Sequence, residues 1–353
     1  MQKKLKSNIE KCQACGSNLT FNPDVQGLCC LSCKSQIPVN VEKGLIKHDV
    51  DSSNELNKHK NEAMLNQTHT MQCSNCGAQV VLVDYQTSAS CPYCNTNMVA
   101  SKENFEGLKP DSIIPFKFGK DKASHKFKEE IKGKWLAPSK FKKSINADEI
   151  KAYYFPAFVF DADCTTKYEG RLYNEDTERN SDGSTETVRS YFRIQGEKQT
   201  KHTNIEIEAS TKLNQYELNL IRPYNFDEAY SYCNEFVYGY SLEQYNNSVN
   251  QTNLQAEDLM KQDIRKVILK SYRHDGVDYL NLFPHFYNEK YSYCVLPVYR
   301  INFSYKNKQY SNLMNGQTGK LGGSYPKSGL KITFIVLMVL LFLALPFLIF
   351  ALT

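Results

Sequence analysis

Cys73-Ser74-Asn75-Cys76-Gly77, then Val80-Val81-Leu82-Val83, then Cys91-Pro92-Tyr93-Cys94: this stretch decides how the first third of the chain folds. Two Cys-x-x-Cys turns stand 14 residues apart (77–90), and the apolar run between them reads as a strand. Each turn places two thiolates on one side of a tight loop. Two such turns facing each other form a tetrahedral four-sulfur cage, the geometry Zn²⁺ prefers. Working outward, the same arrangement stands upstream, with Cys12/Cys15 and Cys30/Cys33 again 14 residues apart (16–29). The repeat predicts two small rubredoxin-like zinc ribbons.

The residues around the sulfurs agree. Gly16 and Gly77 follow the second cysteine of a pair and supply a permissive backbone. Pro92 stiffens the last turn. A ribbon of about 30 residues cannot bury enough apolar surface to fold alone. Metal binding, worth about 10–16 kcal/mol in zinc peptides, supplies the missing stability. The expected ligands of two structural Zn²⁺ ions are Cys12, Cys15, Cys30 and Cys33, then Cys73, Cys76, Cys91 and Cys94. A full sulfur cage leaves no open position for water, so this zinc is structural rather than catalytic. Disulfides need an oxidising compartment. Met1 to Lys11 has Lys3, Lys4 and Lys6 but no apolar stretch after them, so no secretory signal is read. A redox role for two symmetric pairs would be redundant. Cys29 abuts Cys30 and competes as a ligand, and the matching spacing favours Cys30. Cys164, Cys233 and Cys294 are scattered among aromatic residues and read as buried structural thiols.

At the other end, Ile332 to Thr353 carries no charge over 22 residues. A helix of about 20 such residues spans a bilayer's hydrocarbon core, so one C-terminal transmembrane helix is expected. Pro346 is tolerable in such a helix. Lys320, Lys327 and Lys331 precede the span and nothing charged follows it. The positive-inside rule then predicts a single-pass protein of the cell membrane with its body in the cytoplasm.

The chain has 353 residues, 41% apolar and 23% charged, which suits a folded protein. The mean hydropathy is −0.52 despite the apolar end. The 23 Tyr and 19 Phe favour β-structure. Expected units are ribbon one (1–40), a polar linker (41–69), ribbon two (70–101), an α+β domain with an antiparallel sheet (102–328) and the anchor (329–353). His48, His59 and His69 of the linker are expected to face solvent, because the cysteines fill both cages. In the α+β domain, Ala123, Phe127, Ile131 and Trp135 recur at spacing four and predict one apolar helix face over Asp121 to Trp135. Tyr153 to Phe160, Val188 to Ile194 and His202 to Glu208 read as strands. Phe226 to Tyr238 and Leu254 to Tyr272 read as helices. Tyr291 to Tyr305 and Gln309 to Asn315 read as a hairpin turning near Asn307. A shorter repeat is visible: Phe155-Pro156-Ala157-Phe158 parallels Leu296-Pro297-Val298-Tyr299, with Tyr168 and Tyr310 downstream. It suggests two related β-units in one sheet, each proline marking an edge or a bulge.

Net charge is +5, too weak to imply nucleic acid by itself. Between Lys117 and Lys143, however, ten lysines against Asp121, Glu129 and Glu130 give a local +7. A solvated helix face, an anionic membrane surface and a nucleic acid backbone all fit such a run. No phosphate loop, Gly-x-Ser-x-Gly, His-Glu-x-x-His or dinucleotide fingerprint is present. Asn315-Gly316-Gln317-Thr318-Gly319-Lys320 lacks the first glycine of a phosphate loop and reads as a glycine-rich turn. No catalytic or cofactor-binding residue is nominated, and no enzyme is expected.

The chain resembles a bacterial family of membrane-anchored zinc-ribbon proteins, the YdjG-like family. The resemblance rests on the paired ribbons, Phe155-Pro156, Ile207-Glu208-Ala209-Ser210 and Arg222-Pro223-Tyr224. Leu296-Pro297-Val298-Tyr299 and Asn315 to Lys320 before an apolar end carry it further. Members are often labelled TFIIB-type zinc-ribbon or helicase-like proteins. The second label would imply an ATP site that these motifs lack. The resemblance also implies association with phage-shock-type membrane-stress proteins. The expected function is a membrane-anchored zinc-binding adaptor that recruits or scaffolds cytoplasmic partner proteins. Its expected partners are the lipid bilayer and one such protein. The alternative is a zinc-ribbon nucleic-acid-binding protein tethered to the membrane.

Overall fold

A computed structural model describes residues 11–52, 68–83, 88–91, 93, 96–99, 109–144, 150–179, 183–213 and 215–352. Strands β1 (Leu19–Asn22), β2 (Gly27–Cys30) and β3 (Gln36–Pro38) form a three-stranded sheet around the first cysteine set. After β4 (His48–Asp49), the second set lies among β5 (Thr68–Gln72), β6 (Gln79–Val83), β7 (Ser88–Ser90) and β8 (Asn97–Val99). Then come β9 (Ser112–Ile113), helices α1 (Lys120–Gly133) and α2 (Ser139–Ser144), and the long strands β10 (Ile150–Arg179) and β11 (Thr185–Glu208). Helix α3 (Gln215–Ile221), β12 (Tyr230–Ser231), β13 (Ser241–Glu243) and α4 (Val249–Leu269) lead into β14 (Gly276–Tyr305). β15 (Lys308–Asn315), β16 (Leu321–Gly323) and α5 (Gly329–Leu352) complete the chain.

β10 and β14 are the spine of an 11-stranded sheet and run antiparallel over almost their whole length. Their inner halves are buried on both faces, as a continuous apolar run such as Tyr153 to Phe160 requires. Tyr154, Phe158 and Tyr299 point to a core closed by ribbon one and α1. Phe155, Leu296 and Val298 point to the opposite core, closed by α3.

The short repeat has a structural meaning. Phe155 pairs directly opposite Leu296, so the two segments face each other about a local pseudo-two-fold axis. Proline has no N–H for a ladder, so neither proline can sit in a continuous one. Pro156 sits where β10 changes its neighbour from β13 to β11. Pro297 sits where β14 changes from β9 to β15. Their carbonyls accept equivalent bonds, from Ala209 N at 3.1 Å and Gly316 N at 2.8 Å. Each proline therefore marks a junction in the middle of the sheet, not the edge or bulge expected.

Several expectations are corrected. The sheet is mixed rather than antiparallel, because β9 and β13 are short parallel inserts beside the proline junctions. Ala123, Phe127 and Ile131 are buried along α1, but the helix ends at Gly133 and Trp135 is 57% exposed. Phe226 to Tyr238 is not one helix: two 3-10 turns (Phe226–Glu228, Asn234–Val237) flank β12. His48 pairs with Asp111 at 2.9 Å instead of facing open solvent. His59 lies outside the described residues.

Helix α5 is apolar, and its described side chains from Ile332 to Leu343 are exposed. Among the described residues, however, no helix is long and apolar enough to cross a membrane. The expected transmembrane helix is therefore corrected, and with it the tail-anchored topology and the single-pass location at the cell membrane.

Candidate metal centres

The three cysteine turns that are described in full share one backbone design. In the first, Gly16 N donates to Cys12 O and Cys12 N to Ser17 O, both at 2.8 Å. Lys34 N to Cys30 O repeats the pattern at 3.0 Å, and Gly77 N to Cys73 O at 2.8 Å. The residue after the second cysteine takes a left-handed conformation: φ is 71° at Gly16, 63° at Lys34 and 68° at Gly77. Glycine adopts this freely. The turn aims the cysteine sulfurs to the same side while its own N–H groups stay bonded.

In the first set, the sulfurs of Cys12, Cys15, Cys30 and Cys33 all lie within 4.8 Å of one another. Cys12 to Cys33 and Cys15 to Cys30 are each 3.4 Å. A tetrahedral ion with metal–sulfur bonds of about 2.3 Å needs sulfurs about 3.8 Å apart, so the donor set fits. The inner ligands Cys12 and Cys30 are buried; Cys15 and Cys33 are exposed. Backbone N–H groups of Ala14 and Cys15 hold the Cys12 thiol below its ordinary value. Ser17 does the same for Cys15 and Ser35 for Cys33. At Cys30 the Cys33 N–H pulls down, but burial and the Cys15 sulfur leave the thiol raised. Thiolates are what metals bind, so three lowered thiols suit the site. Cys29, on β2, is not part of the cluster.

In the second set, the sulfurs of Cys73, Cys76 and Cys91 meet the same 4.8 Å limit, with Cys76 and Cys91 at 3.5 Å. Cys94 lies outside the described residues. Each cluster can hold a metal ion, and sulfur-only donor sets suit a tetrahedral ion of the zinc or iron type.

Both centres are fastened to the body. For the first, Phe21 N donates to Tyr238 O, and the Phe21 and Phe236 rings meet edge-on at 5.2 Å. Gln26 Nε2 donates to Phe116 O at 2.8 Å. For the second, β6 pairs with β13 inside the large sheet, matching Val81 with Leu242 and Val80 with Glu243. Lys212 Nζ donates to Cys76 O at 2.6 Å. Tyr93, between two cysteines of the metal turn, lies on the body itself. The Arg300 guanidinium sits 4.7 Å from its ring, and Asn302 Nδ2 donates to its carbonyl at 3.0 Å. Glu243, which pairs with Val80 of β6, is buried and accepts from Ser210 Oγ. Nothing in the sequence marks Arg300, Asn302, Lys212 or Glu243 as partners of a cysteine turn; each is a lone polar residue far away along the chain.

In the Asn315 to Lys320 turn, Asn315 Oδ1 accepts from Gln317 N and Thr318 N at 2.8 and 2.9 Å. Its Nδ2 donates to Ile221 O and Pro223 O. Gln317 bonds both backbone groups of Asn225. The turn clamps the segment after α3. Cys164 and Cys294 are buried, while Cys233 is half-buried; burial pushes the Cys233 and Cys294 thiols up.

No family model matches this chain, and no solved structure does. It is similar to the uncharacterized protein YdjG of Bacillus subtilis (strain 168), at 25% identity over 233 residues. The match takes in 63% of this chain and spans 65% of that protein's length.

Proposed function

We propose that this chain is a zinc-dependent adaptor whose two cysteine ribbons recruit a partner protein. The observation that carries the reading is how the first centre is presented. Its inner ligands Cys12 and Cys30 are locked to the core, while Cys15, Cys33 and Leu31, 66% exposed, stand out on the opposite side. A metal-locked turn on a fixed body is a rigid contact surface that loses little entropy on binding. Four sulfur ligands occupy a tetrahedral ion completely, which suits a structural role.

Affinity capture of the intact chain beside its Cys15→Ser and Cys76→Ser forms tests this. The expected outcome is a protein recovered with the intact chain and lost from at least one variant. The same proteins recovered with all three forms would sink the adaptor reading.

A second reading, nucleic acid binding, is favoured by α1 and α2, where Lys122, Lys126, Lys132, Lys140 and Lys143 are exposed. It requires binding that falls steeply with salt. Titration of a labelled single-stranded or duplex oligonucleotide at low salt decides it, and no binding there ends it.

A further inference from the structure

Beyond its buried half, the spine extends as an arm. From Asp163 to Tyr173, β10 runs between β11 and β14 as three antiparallel strands. One face is covered by α4, with Leu172, Ile194, Ile264 and Ile268 as its core. The outward side chains of the other face from Lys167 to Arg171, with those of β11 and β14 alongside, are exposed. An open antiparallel face is ordinarily polar. Here Tyr279, Phe283 and Tyr287 of β14 are 42%, 57% and 38% exposed, and Tyr191 of β11 is 51% exposed. Arg171 lies between two of these rings, 5.1 Å from Tyr191 and 5.9 Å from Tyr279.

We propose that this face is the interface between two copies of the chain. The argument is self-complementarity. Let a second copy pack face to face with its strands reversed, about a two-fold axis at the level of Tyr168. Position 167 then meets 169, 165 meets 171, and 163 meets 173. Lys167 faces the second copy's Glu169, and Asp163 faces its Tyr173. The flanking strands follow the same register, since Lys167 aligns with Phe283 and Glu197, and Asp163 with Tyr287 and Lys201. Lys201 then meets the second copy's Tyr191, whose row is set by Tyr173. Bulky Tyr287 meets Gly276, also on the Tyr173 row. No charge in this register faces its own sign, which is what steers and specifies an association.

Size sets the strength. At about 3.3 Å per residue and about 4.8 Å between strands, this part of the face measures about 36 by 14 Å, or about 500 Å². Two copies bury about 1,000 Å², the lower end for a specific interface, so the dimer is concentration-dependent.

Sedimentation velocity of the full chain from about 1 to about 100 µM tests the proposal, over the range a marginal interface implies. The wild type is expected to shift from monomer to dimer. Lys167→Glu and Glu169→Lys each set like charges against each other and are expected to weaken the dimer about tenfold or more. The double variant restores opposite pairing and is expected to recover it. Phe283→Glu, which leaves the charge pair alone, is expected to weaken it as well. Circular dichroism confirms that each variant is folded. A chain that stays monomeric throughout would overturn the proposal, leaving the face to a partner of another kind. Self-association that survives both Lys167→Glu and Phe283→Glu would overturn it too.

Discussion

Gly316 follows the junction at Pro297, where β15 closes against the spine. A Cβ built there would stand 2.5 Å from ring carbons of Phe116 and 2.8 Å from Pro297 Cβ. Both neighbours are packed in the core, so Gly316→Ala is expected to destabilise the fold by about 1–3 kcal/mol, read as a lower denaturant midpoint with unchanged slope. Glu243 makes a different prediction. Burial holds its carboxyl well above the ordinary value, with Arg300 pulling the other way. A raised acid keeps its proton longer in the folded chain. Its contribution is therefore complete below the unfolded value, about pH 4.3, and is lost as pH rises through the folded value. Glu243→Gln keeps a partner for Ser210 and removes that loss. The fall in Tm with rising pH is expected to be shallower in the variant, and an identical profile would refute the assignment. Gly316 was legible as part of a glycine-rich turn, but the ring that makes it necessary lies 200 residues upstream. Glu243 was legible only as one carboxylate among 38 acidic residues.

At the scale of elements, periodicity found what depends on near neighbours. The face of α1 through Ile131, the body of α4, and the turn at Lys306 and Asn307 between β14 and β15 follow from local pattern. What failed were elements whose form is imposed from elsewhere. The outer part of β10, Arg171 to Arg179, carries no strand pattern of its own, yet it is a strand because β11 pairs with it residue for residue. β13 is three residues long and exists because β10 and β6 flank it. That placement has a consequence for metal removal. With β6 released, β13 loses one of its two neighbours. Stripping metal with a chelator is expected to raise amide hydrogen exchange in β6 and also in β13. Exchange confined to the cysteine turns would show that the centre does not support the sheet.

For the molecule as a whole, both centres belong to one packed body, through the Phe21–Phe236 contact and the Arg300–Tyr93 contact. Metal removal is therefore expected to lower the Tm of the main unfolding transition, by about 1–2 °C for each kcal/mol lost at this size. An unchanged main transition beside a lost small one would mean that the ribbons fold as separate modules. The cysteine turns follow from local sequence, because a Cys-x-x-Cys knuckle closes over a handful of residues and its hydrogen bonds are local. That Phe155-Pro156 and Leu296-Pro297 are related also follows from the sequence, because a repeat is visible without any fold. That these two segments pair across the centre of one sheet comes from the assembled fold alone. The same fold placed the metal turns on Tyr238 and Arg300, and left one face of the arm open. Each of those facts joins residues more than 100 positions apart, and no local pattern encodes such a contact.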